Sequence, residues 1–542
     1  MVGSGAAPDQ TAYATAPQLR TRLWHSDGSH LVFPEQELGI RSDTANSAIC
    51  FSGGGMVSLS ATMGQLRGLH VLGLIPRIRY LSSVSGGARA AIAFTYYRSG
   101  ARNDAEFLGP VTPPERISFP GLRVLPPECL GHLGITDPTV TMFLLSNQGV
   151  AGDQLWLQAA GINYLAPFGL YDPAEPGRFS YDAAAVASIK ANNPSLAGAT
   201  FYMVRDPQTR PYLIAETIFV CPTTASPFRT YRLVNCEVTP LYVGNPFALS
   251  VTYDPLSAPP VTTQVGGGYI EPFAFGSPKL DHLANGLATV AAPQRPYSLA
   301  DVSGTATASY SAEAHNFFGA LSPKWDYWPS GVGESADGQS FNFGDGGNLE
   351  DYGLISVLLR KVRTAAVFIN TSVKINLDYD PETPPTLDDI DPNLPTLFGY
   401  PNEFSPFNQV FEKAGFAPLV RSLQAARLAG QSVIAKTELK TIPNPWWGLD
   451  GGHPVSILWI YNERVLDWEQ RIPVASGVPA SIEAGNSATP TGPFVNFPNY
   501  QVSGQNTPGS IALTPEQINL LGDVSCWNIT ANAEMFAGLL AS

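Results

Sequence analysis

The chain has 542 residues, of which 44% are apolar and 14% charged, and its net charge is -14. Length and apolar content suffice for one very large domain or several ordinary ones. Charge this sparse, against about a quarter of residues in an average domain, excludes a disordered chain and favours a compact, loop-rich scaffold. The acidic balance argues against nucleic acid as a partner and against simple electrostatic attachment to an anionic bilayer.

The first residues, MVGSGAAPDQTAYATA, have neither a basic region nor a continuous apolar one, so they do not read as a secretory signal. No stretch reaches the roughly 18 apolar residues of a membrane span. The expectation is a soluble, cytoplasmic protein. Cysteines at 50, 129, 221, 236 and 526 form no C-x-x-C and read as buried reduced thiols. Residues 1–46 are expected as an irregular arm packed on the core, with extended pieces such as His30-Leu31-Val32-Phe33.

The stretch from Ser47 to Tyr97 predicts strand, glycine loop, helix, strand, sharp turn, helix. Ala48 to Phe51 is the first strand, Ser52-Gly53-Gly54-Gly55 the loop, Val57 to Leu72 the helix and Ile78 to Leu81 the second strand. Ser83-Val84-Ser85-Gly86-Gly87 opens the next helix. An α/β fold places its chemistry at such strand-to-helix loops. A serine on a tight turn presents its hydroxyl, and N–H groups of a glycine loop can form an oxyanion wall beside it. Ser85 is therefore the candidate nucleophile. The glycine loop by itself also admits an ordinary turn or a phosphate or dinucleotide loop, although no G-x-G-x-x-G or phosphate-loop lysine is present.

Prolines at 110, 113, 114, 120, 126 and 127 exclude long helices from residues 101–140. Tyr202 to Arg205, Leu213 to Val220 and Tyr231 to Val234 read as strands. Gly266 to Ser277 is a second glycine-dense segment, expected as a loop against the first. Residues 298–322 pass from a turn into a small-residue helix, in which Ser303-Gly304 reads as a turn or cap and not as a nucleophile.

From Gln339 to Ser372 a polar-aromatic strand ends at Asp345-Gly346-Gly347, a helix is predicted from about Leu349 to Lys361, and Ala365 to Asn370 is a buried strand. Asp345 should lie at the same end of the sheet as Ser85. A serine needs a base, no histidine stands near either motif, and His70 falls mid-helix. The pattern points to a Ser85–Asp345 dyad. Asp450-Gly451-Gly452 repeats the D-G-G pattern, but Pro454 and a strand follow at once, so it reads as a turn. The acidic residues of 376–393 lack calcium-loop spacing and read as a solvated loop. A helix is expected from Phe416 to Leu428, a strand from Val455 to Tyr461 and a loop over 474–510. Thr514-Pro515-Glu516-Gln517 reads as cap, N1 proline and capping box of a terminal helix.

With these motifs in order, the chain resembles the patatin-like and cytosolic phospholipase A2 superfamily, and looks closer to the cytosolic phospholipase branch. Ser52 to Gly55 matches its oxyanion loop, Ser85-Gly86 its nucleophile turn and Asp345-Gly346-Gly347 its base motif. The resemblance implies a three-layer α/β/α domain with a mostly parallel central sheet and loop-rich cap insertions. It would span 47–542, with a motif-bearing core over 47–372 and a cap and extension over 373–542. It implies hydrolysis of an acyl lipid ester through an acyl-enzyme, with Ser85 and Asp345 catalytic, Gly54, Gly55 and Gly86 as the oxyanion hole, and no metal or cofactor. Gly53, Met56, Val57 and Arg89 are the expected substrate contacts. The family's phosphate-facing arginine corresponds to Val57, so a neutral lipid, a lysolipid or a soluble ester becomes the expected substrate. Arg89, four residues past Ser85, is the cation that would face the pocket instead, with a surface or sheet-edge role as the alternative. Acyl transfer on the same scaffold and catalytically silent lipid binding are the alternatives. The expected partners are the acyl lipid itself and, transiently, lipid aggregates or a membrane surface.

Overall fold

The computed structural model describes residues 17–26, 31–221, 232–253, 261–313, 320–329, 335–402 and 405–540. His30, Tyr231, residues 1–16 of the expected arm and residues 314–319 of the 298–322 segment lie outside them. The elements that position the site are β1 (Gln18–His25), β2 (Ser47–Phe51), α1 (Gly55–Val71), β3 (Tyr80–Val84), α2 (Ser85–Tyr96), β4 (Tyr212–Cys221) and β5 (Arg232–Val238). They continue with β6 (Gln339–Asp345), α3 (Leu354–Leu359), β7 (Thr364–Ile369), β8 (Ile434–Lys440), β9 (Pro454–Tyr461), α4 (Pro515–Thr530) and α5 (Ala533–Leu540).

The fold is mixed α/β around one large sheet. At its centre β4, β3, β2, β7 and β9 run parallel in that order. Strands β2 and β3 are buried along their whole length, as parallel strands covered on both faces must be. The two faces can be told apart by alternation along β2. Cys50 meets the Gly353 carbonyl just before α3, whereas Phe51 packs against the start of α2 and stacks on Phe368, which in turn stacks on Phe536 of α5. Helices therefore cover both faces, giving three layers.

Antiparallel strands extend the parallel core. Strand β8 lies beside β9 on one side. On the other, β5 leads through Val243–Asn245 and Gly268–Ile270 to β1, Leu287–Ala291 and Lys279–Ala284. Two expectations change here. The N-terminal arm is not merely packed outside, because β1 is a full member of the sheet. The segment Gly266 to Ser277 does not sit against the first glycine loop, because Gly268–Ile270 pairs between Val243–Asn245 and β1.

The helix predicted over 349–361 is shortened to Leu354–Leu359. The Glu350 carboxylate accepts the N–H groups of Tyr352 and Ile355, and Gly353 turns left-handed at φ 69°, so residues 349–353 form a loop. Residues 376–393 are not a wholly solvated loop either. Asp389 accepts from Thr386 and Asn376, and buried Asp391 accepts the Tyr352 hydroxyl and the Asn393 N–H. Within 474–510, Val478–Gly485 is a helix. All five cysteines are buried free thiols. Among the described residues no helix is long and apolar enough to cross a membrane.

Candidate active site

Strand β4 explains how distant segments meet. Along one edge, β3 pairs with its first half in parallel, ending with Val84 opposite Glu216. Strand β6 takes over the same edge in the antiparallel sense, ending with Asp345 opposite Thr217. The two strands run toward each other and stop at adjacent register positions. Ser85 leaves one end of this seam and Asp345 the other.

At the seam Val84 is extended, at φ -129°, and Ser85, the first residue of α2, has φ 50°. A serine in the left-handed region carries strain that glycine would avoid, a pattern found where a side chain is held for function. The glycine loop bends in the same way, with Gly54 at φ 119° and Gly55 at φ 57°. The approach of loop and helix is close. A Cβ on Gly86 would lie 1.9 Å from the Gly55 carbonyl oxygen, and one on Gly54 would lie 2.5 Å from that of Asn370. Neither position admits a side chain. Asn370 donates its N–H to Ser52 Oγ at 2.8 Å and its side chain accepts from Gln65 at 2.7 Å, bracing the loop from the end of β7.

A cavity of about 670 Å³ opens on Gly54, Gly55, Ser85, Arg89, Asp345 and Asp351. Its lining also includes the apolar side chains of Met142, Trp156, Leu321, Val502 and Ile511. Asp345 is 3% exposed, and its Oδ1 accepts the Gly347 N–H at 2.9 Å. Trp156 is fixed by donating to the Gly304 carbonyl at 2.9 Å, within the helix Leu299–Thr305 that holds the decoy Ser303-Gly304. The second D-G-G lies elsewhere, with Asp450 exposed on a turn and 3.7 Å from Lys361.

Not every sequence-predicted contact faces this cavity. Met56 and Val57 are fully packed into the core and line no part of it, because the first turn of α1 points them inward. Gly53 and Gly86 do not line the cavity either, and their lack of a side chain leaves room for Asp351 and for the Gly55 carbonyl. Arg89 does line the cavity, one helical turn beyond Ser85. Its guanidinium stacks on Tyr164 at 4.0 Å, Nη1 is 3.3 Å from the Met56 sulfur, and buried Nε has no hydrogen-bond partner. Burial lowers its pKa, opposed by Tyr164 and by Asp345. His70 is on α1, away from the cavity.

Sequence reasoning missed Asp351, because the helix drawn through it hid its approach to the glycine loop. Asp351 accepts the Gly53 N–H on its backbone carbonyl at 3.0 Å. Its pKa is raised well above the carboxylate range by burial first, then by Asp391, Asp345 and Glu350. Among the described residues no group of three or more His, Cys, Asp or Glu side chains is placed to hold a metal ion.

Fold and cavity together define a three-layer α/β protein with a serine turn, a glycine loop and an aspartate at one pocket. No known family model matches the chain, and no curated protein matches it. Among solved structures, human GIVD cytosolic phospholipase A2 is similar at 12% identity and a TM-score of 0.44, over 93% of this chain and 62% of that one. The same enzyme with methyl gamma-linolenyl fluorophosphonate gives 11% identity and a TM-score of 0.39, over 93% and 61%. The chain thus spans about three fifths of that phospholipase's length. Similarity at this level assigns no residue, substrate or reaction.

Proposed function

We propose that the protein is a serine-dependent hydrolase of fatty acyl esters, working through an acyl-enzyme on Ser85 with Asp345 as base. The observation that carries this reading is Ser85 itself, held at φ 50° at a strand-to-helix junction on the wall shared by Gly54, Gly55 and Asp345. In the acylation step Asp345 takes the hydroxyl proton as Ser85 Oγ bonds to the ester carbonyl carbon. The N–H groups of Gly54 and Gly55, with Gly86 at the start of α2, hold the oxygen that becomes negative. The alcohol leaves, and water then releases the acid. A cavity of about 670 Å³ with apolar side chains in its lining suits an acyl chain. Arg89, a buried cation without a hydrogen-bonded carboxylate, would favour a substrate carrying one negative charge near the ester.

A fluorophosphonate probe tests the nucleophile. It is expected to label the wild-type protein and to leave Ser85→Ala unlabelled, with ester turnover lost in parallel. Equal labelling of both proteins would show that another residue reacts.

A further inference from the structure

Two carboxyl groups, not one, border the serine. A Cβ built on Gly53 would fall 2.1 Å from Asp351 Oδ1 and 3.2 Å from Ser85 Cβ. A Cβ on Gly347 would fall 2.5 Å from the same Asp351 oxygen and 3.3 Å from Asp345 Oδ1. The Asp351 carboxyl therefore occupies the space that side chains at Gly53 and Gly347 would fill. It lies between the oxyanion loop and the base loop, and it faces the cavity. Glycine at both positions is what lets it approach.

We propose that Asp351 is a second catalytic carboxyl, the acid that protonates the departing alcohol while Asp345 holds the proton taken from Ser85. The proposal rests on the ester-hydrolase reading above. Its charge environment agrees. Asp345 at the end of β6, Asp391 in the 376–393 segment and Glu350 in its own loop all act on Asp351, and two carboxyls this close do not both ionise readily. The pair would hold one proton in the resting enzyme and one in the acyl-enzyme. In acylation the Ser85 proton passes to Asp345, the Oγ–carbonyl bond forms, the bond to the alcohol oxygen breaks, and the Asp351 proton goes to that oxygen. In deacylation water attacks the acyl carbon, giving a proton to Asp351. The bond to Oγ breaks, and Asp345 returns its proton to Ser85. Both carboxyls end as they began.

The experiment compares wild type with Asp351→Asn on two esters of one fatty acid, a 4-nitrophenyl ester, whose phenolate leaves unaided, and an ethyl ester, whose alkoxide needs a proton. The readout is kcat/KM, which reports acylation alone. The ethyl-to-nitrophenyl ratio is expected to fall about 100-fold or more in the variant, the scale of general acid catalysis. An unchanged ratio overturns the role of Asp351. Fluoride leaves a fluorophosphonate without a proton, so failure of that probe to label wild type sinks serine chemistry itself, whereas labelling with an unchanged ratio sinks only Asp351. If the variant does not fold, wild-type rates on the ethyl ester in mixtures of light and heavy water decide. A bowed dependence on deuterium fraction, from two protons in flight, is expected, and a straight line overturns the proposal.

Discussion

Asp345 is bound to its own loop through the Gly347 N–H, a bond that an asparagine oxygen accepts equally well. Asp345→Asn therefore keeps the loop and removes the base, and ester turnover should fall by about 100-fold or more. Asp450→Asn, on an exposed turn, should change turnover little, and the opposite ranking in a kinetic comparison would reverse the assignment. Much of this site was legible in the sequence. A strand, three glycines and a serine before a helix have few geometric solutions, and D-G-G after a strand has fewer. Val57 and Asp351 were not legible, for different reasons. Whether a residue in the first turn of α1 faces core or cavity depends on helix rotation, which no motif encodes. Asp351 reaches Ser85 only through the space left by Gly53 and Gly347, which are far apart in the chain.

Among elements, α1 and α4 form the tightest helix pair around the site. A Cβ on Gly64 would lie 2.1 Å from the Gly522 carbonyl, and buried Arg67 and Asp523 approach to 3.8 Å. Helix α4 starts as its sequence predicts. Thr514 accepts the Gln517 N–H, and the Gln517 side chain accepts the Thr514 N–H at 2.9 Å. Thr514→Ala should cost about 1 kcal/mol, read as a lower denaturant midpoint with an unchanged slope. Local signals of this kind made the helix ends and the core strands readable. The antiparallel wing was not, because β1 finds its partners hundreds of residues away and its own sequence alternates like any half-buried strand. The loop 349–353 escaped as well, since Glu350 replaces helix bonds with side-chain bonds that periodicity cannot reveal.

For the molecule as a whole, buried acids set the response to pH. Burial, with Glu237 nearby, raises Glu216 to about 8, burial raises Glu350 to about 7, and burial raises Asp523 to about 7 against the pull of Arg67. These groups keep protons in the fold that the unfolded chain gives up near its ordinary carboxyl pKa of about 4. Between roughly pH 4.5 and 8 the folded state thus binds more protons, and stability falls as pH rises. Melting should occur at higher temperature at pH 5.5 than at pH 8, and Glu216→Gln, which mimics the neutral acid, should flatten that difference. A melting temperature that rises across this interval would contradict the assignment. The seam on β4 has a consequence for biosynthesis. Its first half can pair with β3 as soon as β4 itself has been made, but its second half stays vacant until β6 follows. On the proposed chemistry, a growing polypeptide carries its nucleophile long before its base, and stays harmless to surrounding lipid until the sheet closes.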